Sequence, residues 1–240
     1  MKKILLGLFL LVSISAQSQV LITLLLGDKL NSDGLEFGLE GGMNWTQVSG
    51  FESKDFASKW NLGFYFDIRI KNQLSLYTGV LVKSNMGIDG LTDKDLTTLN
   101  AYIYKDQNAV PIVGTYSHKM SYFLVPILLK YKFKNQIHVA VGPQLGLMYK
   151  SWIEFNSDVD GKDAILKDYN KDEINKIDAG IMVGLGYRFF QGTGWTLSAK
   201  YYYGFVDVYK NISGTKNSSI FLELDIPIGA AKAEKKETKN

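Results

Sequence analysis

The chain has 240 residues, 46% of them hydrophobic and 21% charged, with a formal net charge of +3. That balance excludes a disordered tail protein and a helical membrane transporter, and no stretch of the mature chain reaches the roughly 18 apolar residues of a spanning helix. The absence of Cys excludes disulfide scaffolds, thiolate metal sites, Cys nucleophiles and a lipidated N-terminal Cys, and so small a charge gives no case for nucleic acid.

Lys2 and Lys3 precede an apolar run from Ile4 to Ile14, and Ser15-Ala16-Gln17-Ser18-Gln19 follows. A positive start, an apolar stretch of this length and a small-x-small site define an export signal, with cleavage expected after Ser18. Residues 1–18 are therefore read as a signal peptide and 19–34 as a short apolar N-terminal segment. Within the latter, Val20–Leu26 is too short to span a bilayer and too apolar to hang in water. Lying at the inner interface and capping the periplasmic mouth are both open to it. Residues 229–240 form a polar periplasmic tail; its last nine residues hold four Lys and two Glu. The basic excess thus belongs to the two ends of the chain.

Between them the sequence alternates with period two, most clearly over Trp60–Ile70, where every even position is large and apolar. The same pattern predicts eight strands: Leu35–Trp45, Trp60–Ile70, Leu74–Ser84, Phe123–Phe133, Ile137–Tyr149, Ile177–Phe189, Trp195–Phe205 and Ile220–Ile228. Many match the roughly 9–11 residues of a tilted membrane strand better than the five or six of a soluble one. The connections alternate in length. Lys71-Asn72-Gln73, Lys134-Asn135-Gln136 and Gln191–Gly194 are tight, whereas Ser49–Lys59, Asn85–Tyr122, Lys150–Lys176 and Val206–Ser219 are long and polar. Short turns at one end and long loops at the other are the asymmetry of an outer-membrane barrel.

A soluble β-sandwich alternates too, so the two faces must decide. No position on the apolar face of any predicted strand is charged. A bilayer demands this, because Lys or Arg at its midplane costs about 2–4 kcal/mol. The polar face carries most of the strand glycines, which make room for long side chains in a narrow barrel. It also carries matched charge. Glu36, Glu40, Asp67, Arg69, Lys130, Asp178, Arg188, Lys200 and Glu223 are expected to form an interior salt-bridge network. Lys83, Lys132 and Asp225 are expected to touch water near strand ends. Trp45, Trp60, Tyr149, Trp152, Phe205 and Tyr209 would form an aromatic belt near the loop end. Tyr131, Phe133, Tyr187, Phe189, Phe190 and Trp195 would form the belt at the turn end.

Chemistry-bearing patterns are few. His118, near the loop end of the fourth strand, could pair with Ser121 or Ser84 at an outer rim, but no spacing marks a nucleophile elbow or triad, and a loop histidine is the better reading. His138 stands on the polar face near a turn. Asn156-Ser157-Asp158-Val159-Asp160-Gly161 begins like a calcium loop, yet its twelfth position is Lys167 instead of Glu. It reads as an acidic loop tip. Catalytic, cofactor-binding and metal residues are all expected to be none, as are cofactors.

Taken together, Phe37-x-Leu39-x-Gly41-Gly42-Met43-Asn44-Trp45, Pro126–Phe133, Gly142-Pro143-Gln144-Leu145-Gly146, the Asp178–Arg188 strand with Gly180, Gly184 and Gly186, and Lys200–Asp207 resemble the PorT-type outer-membrane β-barrel family of Bacteroidota. The resemblance runs from about Leu35 to Ile228. Leu124 departs from it, standing where the family often has an inward Glu two residues before the Pro. The resemblance implies an eight-stranded barrel in the outer membrane and, from the namesake, a link to protein secretion.

The reading is an all-β, eight-stranded antiparallel up-and-down transmembrane β-barrel over residues 35–228, in the bacterial outer membrane with both termini periplasmic. Its interior is filled, and its role is structural or as an interaction platform through the loops, with secretion accessory as the family-derived variant. Expected partners are outer-membrane lipid, the barrel-assembly machinery and secretion-system or cell-surface proteins, with no nucleic acid. The alternatives are a lipid-modifying enzyme and a small-solute channel.

Overall fold

The computed structural model describes residues 34–159 and 162–228. The signal peptide, Val20–Leu26, Asp160-Gly161 and the C-terminal tail lie outside the described residues. In chain order the strands are β1 (Leu35–Val48), β2 (Ala57–Lys71), β3 (Leu74–Ile88), β4 (Thr115–Lys132), β5 (Ile137–Val159), β6 (Lys162–Tyr169), β7 (Ile177–Arg188), β8 (Thr196–Asp207) and β9 (Lys216–Pro227). One short helix, α1 (Asp93–Thr98), lies between β3 and β4. Among the described residues no helix is long and apolar enough to cross a membrane.

Eight strands close a ring. Each pairs antiparallel with its neighbour in the order β1-β2-β3-β4-β5-β7-β8-β9, and β9 returns to β1 from Gly38↔Pro227 to Val48↔Asn217. Closure leaves the ring no unpaired edge, which is the condition for crossing lipid with strands. The ninth strand, β6, pairs only with the far part of β5, from Trp152↔Tyr169 to Val159↔Lys162. It folds back at the loop end and takes no part in the ring.

The alternation seen in the sequence is the alternation of the wall. In β2, Trp60, Leu62, Ile68 and Ile70 are exposed, while Asn61, Gly63 and Tyr65 are buried. In β7, Ile177, Ile181, Val183, Leu185 and Tyr187 face out, and Asp178, Gly180, Met182 and Gly186 face in. Exposed apolar residues packing on nothing are stable only against lipid. The interior glycines answer to specific neighbours. A Cβ on Gly38 would meet the Tyr65 ring at 2.5 Å, and one on Gly186 would meet His138 Cε1 at 2.3 Å.

The sequence underestimates the strands at their loop ends. β4 starts at Thr115 instead of Phe123, and β5 runs to Val159 instead of Tyr149. Past the lipid-facing band both faces of a strand meet protein or water, so the apolar/polar contrast fades while the backbone pairing continues. Two β-bulges also reset the parity. Leu81 pairs with Leu124 but Ser84 pairs with Tyr122, and Ser121 pairs with Lys150 but Tyr122 with Met148. An extra residue in one strand turns the following side chains to the other face.

The interior has two zones. A polar cluster occupies the turn-end half. Nearer the loops, Tyr122, Leu124, Met148, Met182 and Phe221 are buried. Above them the loops contribute their own core, with Val48, Phe51, Leu91, Leu96, Ile174 and Val208 buried together. Helix α1 is held there by a capping box. Asp95 N–H donates to Thr92 Oγ1, and the Asp95 carboxylate accepts from the backbone N–H of Thr92, Glu52 and Ser53. Burial pushes this carboxyl up, but those N–H donors outweigh it and hold the group below the usual Asp value. A depressed folded value means that the contribution is complete above the ordinary pKa of about 3.9 and is lost as pH falls through the lowered one. Asp95→Asn should loosen the Phe51–Leu99 region by about 1–2 kcal/mol at neutral pH. Limited proteolysis at pH 7 and pH 3 measures this: the gap between wild type and variant should narrow at the lower pH.

Candidate functional site

The turn-end cluster is built from facing strands. Arg188 on β7 grips Glu36 on β1 with both guanidinium nitrogens, at 3.1 and 2.5 Å. Lys130 on β4 meets Asp67 on β2 at 2.8 Å. Lys200 on β8 lies between Glu40 at 2.5 Å and Glu223 at 2.8 Å, all three almost wholly buried. Tyr77 ties these units together. Its ring takes the Lys200 ammonium at 4.5 Å and the Lys130 ammonium at 5.2 Å, and its hydroxyl donates to Asp225. Tyr65 stacks on Tyr77 and donates to Glu36. The tyrosines are the part sequence reasoning missed. They stand at inward positions, which the alternation marks, but the expected network holds charged residues alone and includes neither Tyr65 nor Tyr77.

Not every expected member joins. Arg69 is exposed and has no ion pair among the described residues; it stands beside a register shift at the turn end of the β2–β3 ladder. Asp178 is buried and faces in, but far up toward the loops, where it accepts from Asn217 Nδ2 at 3.0 Å and meets no base. Asp225, expected to touch water, is buried and bonded to Tyr77. Lys83, expected to touch water near a strand end, is exposed, but on the outer face, where the bulge in β3 turns it. Tyr209, expected in a belt, is buried in the loop core against Phe51 and His118.

A second cluster sits at the loop end. His118 does not meet Ser121 or Ser84. Its Nε2 is 2.9 Å from Ser151 Oγ, its Nδ1 is 3.0 Å from the Tyr209 hydroxyl, and Ser151 donates to Asn170 Oδ1 at 2.7 Å. Ser and His are in contact, but both have zero solvent exposure, and a Tyr stands where a hydrolase orients its base with a carboxylate. The arrangement bolts β4, β5 and the loop around Tyr209 together. His118→Ala takes one hydrogen-bond partner each from Ser151 and Tyr209 and leaves a void between them, and should cost about 1–3 kcal/mol at the loop end. Faster loop proteolysis with unchanged barrel migration on gels is the expected result. The described part of the calcium-like pattern, Asn156–Val159, is strand. Asn156 and Asp158 stand in extended β5, so their side chains cannot wrap one ion. Among the described residues no group of three His, Asp or Glu could hold a metal.

Outside the lumen, the loop end presents a shallow groove lined by Asn100, Tyr102, Ile103, Lys105 and Asp168, next to β6. Tyr102, Val110, Val113, Ile165 and Tyr169 are exposed on this side of the molecule.

The outer membrane protein beta-barrel domain family matches residues 16–210. The chain belongs to that family. This outer-membrane β-barrel protein is thus a resident of the bacterial outer membrane, and its eight ring strands are those of a small up-and-down barrel. Among solved structures it is similar to Ail, the attachment invasion locus protein of Yersinia pestis, at 11% identity over 82% of this chain and 100% of that one, with a TM-score of 0.43. Neisserial surface protein A matches at 12% identity over 81% of this chain and 99% of that one, with a TM-score of 0.42. OprG from Pseudomonas aeruginosa matches at 9% identity over 81% and 93%, with a TM-score of 0.34. None of the curated proteins matches the sequence. The family match is broader than the PorT-type resemblance and is not specific to Bacteroidota.

Proposed function

We propose that this barrel is a closed, non-conducting anchor that displays its loop end at the cell surface as an interaction platform. The observation that carries the reading is that the lumen is filled from both sides. The Lys200–Glu40–Glu223 cluster fills the turn end, and the buried loop core lies over the other. Eight strands leave an interior just wide enough for side chains. The tight turns face the periplasm, with both termini, and the long loops face outward, following the asymmetry of such barrels. Outer-membrane lipid surrounds the wall, the barrel-assembly machinery inserts it, and cell-surface proteins meet the groove beside β6. In this reading the chain is not an enzyme, since Ser151 is sealed within the core.

Cross-linking and pull-down from outer membranes tests the platform, comparing wild type with a variant whose residues 92–112 are replaced by a short Gly-Ser link. A partner retained by the wild type and lost by the variant is expected; the same set of cross-links from both contradicts the reading. The PorT-type resemblance adds a finer proposal, an accessory role in protein secretion. A deletion strain that secretes normally would remove it.

A further inference from the structure

The two bulges do more than reset register. Each places a lysine on the outer face at the loop-end rim of the lipid-facing band. In β3 the extra residue leaves Val82 and Lys83 opposite Phe123, with Lys83 paired to outward Leu62. In β5 the extra residue is Tyr149, whose ring lies tilted against Phe123 with centroids 4.8 Å apart, and Lys150 follows it outward. Strands β3 and β5 flank β4, so the two lysines stand roughly 10 Å apart across it. Both are exposed, and among the described residues neither has a carboxylate within 4 Å. The neighbouring Lys119 and Lys167 differ, since both are held by Glu154. Lys150 is kept in place from above, its ammonium 5.1 Å from the Trp152 ring and 5.5 Å from that of Tyr169.

A lysine whose stem lies on apolar wall and whose head stops at the rim sits at the level of lipid head groups. A bulge that re-aims a side chain is a built feature. We propose that Lys83 and Lys150 form a binding site for the phosphate groups of the anionic glycolipid of the outer leaflet. The occupant is fixed by two features: two cations without counter-ions, and continuity with the wall that already meets lipid. The inference rests on the outward orientation of the loop end proposed above.

The test uses the full-length protein refolded into phosphatidylcholine vesicles containing lipid A or dephosphorylated lipid A. Phosphorylated lipid A should bind and raise the temperature at which the folded band is lost on gels; the dephosphorylated form should not. Each of Lys83→Gln and Lys150→Gln should weaken lipid A binding about fivefold, and Lys→Arg at either position should restore it. Added salt should weaken the wild type toward the double variant. Equal stabilisation by the dephosphorylated lipid, or unchanged binding by the double variant, overturns the site and leaves the barrel reading standing. Cleavage of the 89–114 loop in intact cells by protease confined to the periplasm, and not by protease outside, overturns the orientation and the site with it.

Discussion

Lys200→Ala should cost the barrel about 3–5 kcal/mol, the largest loss expected from any single interior change. Among the described residues Lys200 is the one cation that bridges Glu40 and Glu223, and all three are almost wholly buried. Removing it leaves two buried carboxylates facing each other without the cation between them. The loss also takes from Tyr77 the nearer of the two ammoniums over its ring. Urea titration of the folded band in detergent micelles reads the effect. The control is Lys200→Met combined with Glu40→Gln and Glu223→Gln. Replacing a whole buried ion cluster by neutral groups of similar size is often neutral or stabilising, so the triple variant should recover most of the lost stability. A single variant as stable as wild type would mean that this cluster is hydrated and contributes little.

The second large effect lies on the opposite face. Val183→Arg places a charge at the middle of β7, where the side chain is 46% exposed with Tyr201 and Val141 beside it. If that exposure is to lipid, the charge costs about 2–4 kcal/mol at the midplane. Trp60→Arg, on the same face but near the loop end, should cost about 0–1 kcal/mol. The depth dependence is the informative part, because an exposed surface in water has no depth. Folding efficiency of the two variants into vesicles measures it, with the Val183 variant the poorer of the two.

The strand wall was legible because a bilayer imposes one rule on every outward position. Trp60, Leu62, Phe64 and Phe66 follow it without exception, and their inward neighbours Asn61, Gly63 and Tyr65 show the complement. Interior partners were legible only as a set. Glu36, Asp67, Lys130, Arg188 and Lys200 all face in, but pairing depends on strand stagger, which alternation does not encode. Arg188 reaches Glu36 on a strand it does not adjoin in the ring, and Arg69, on the right parity, stands exposed at the turn end of β2. The loop end was hidden for a different reason. Its core draws Phe51, Leu96 and Tyr209 from three separate loops, each too short and irregular to show a period. The bulges were equally hidden, since one extra residue looks the same in sequence as a longer loop. The turn of Lys83 to the outer wall follows from such a bulge, and alternation alone does not show it.

The central claim is that the lumen is closed along its length. Planar bilayer recording of the purified, folded protein tests this most directly, with the folded state verified on gels before reconstitution. The filled interior predicts no steady single-channel current at either polarity. Stable, reproducible current steps that are ohmic with voltage would contradict it.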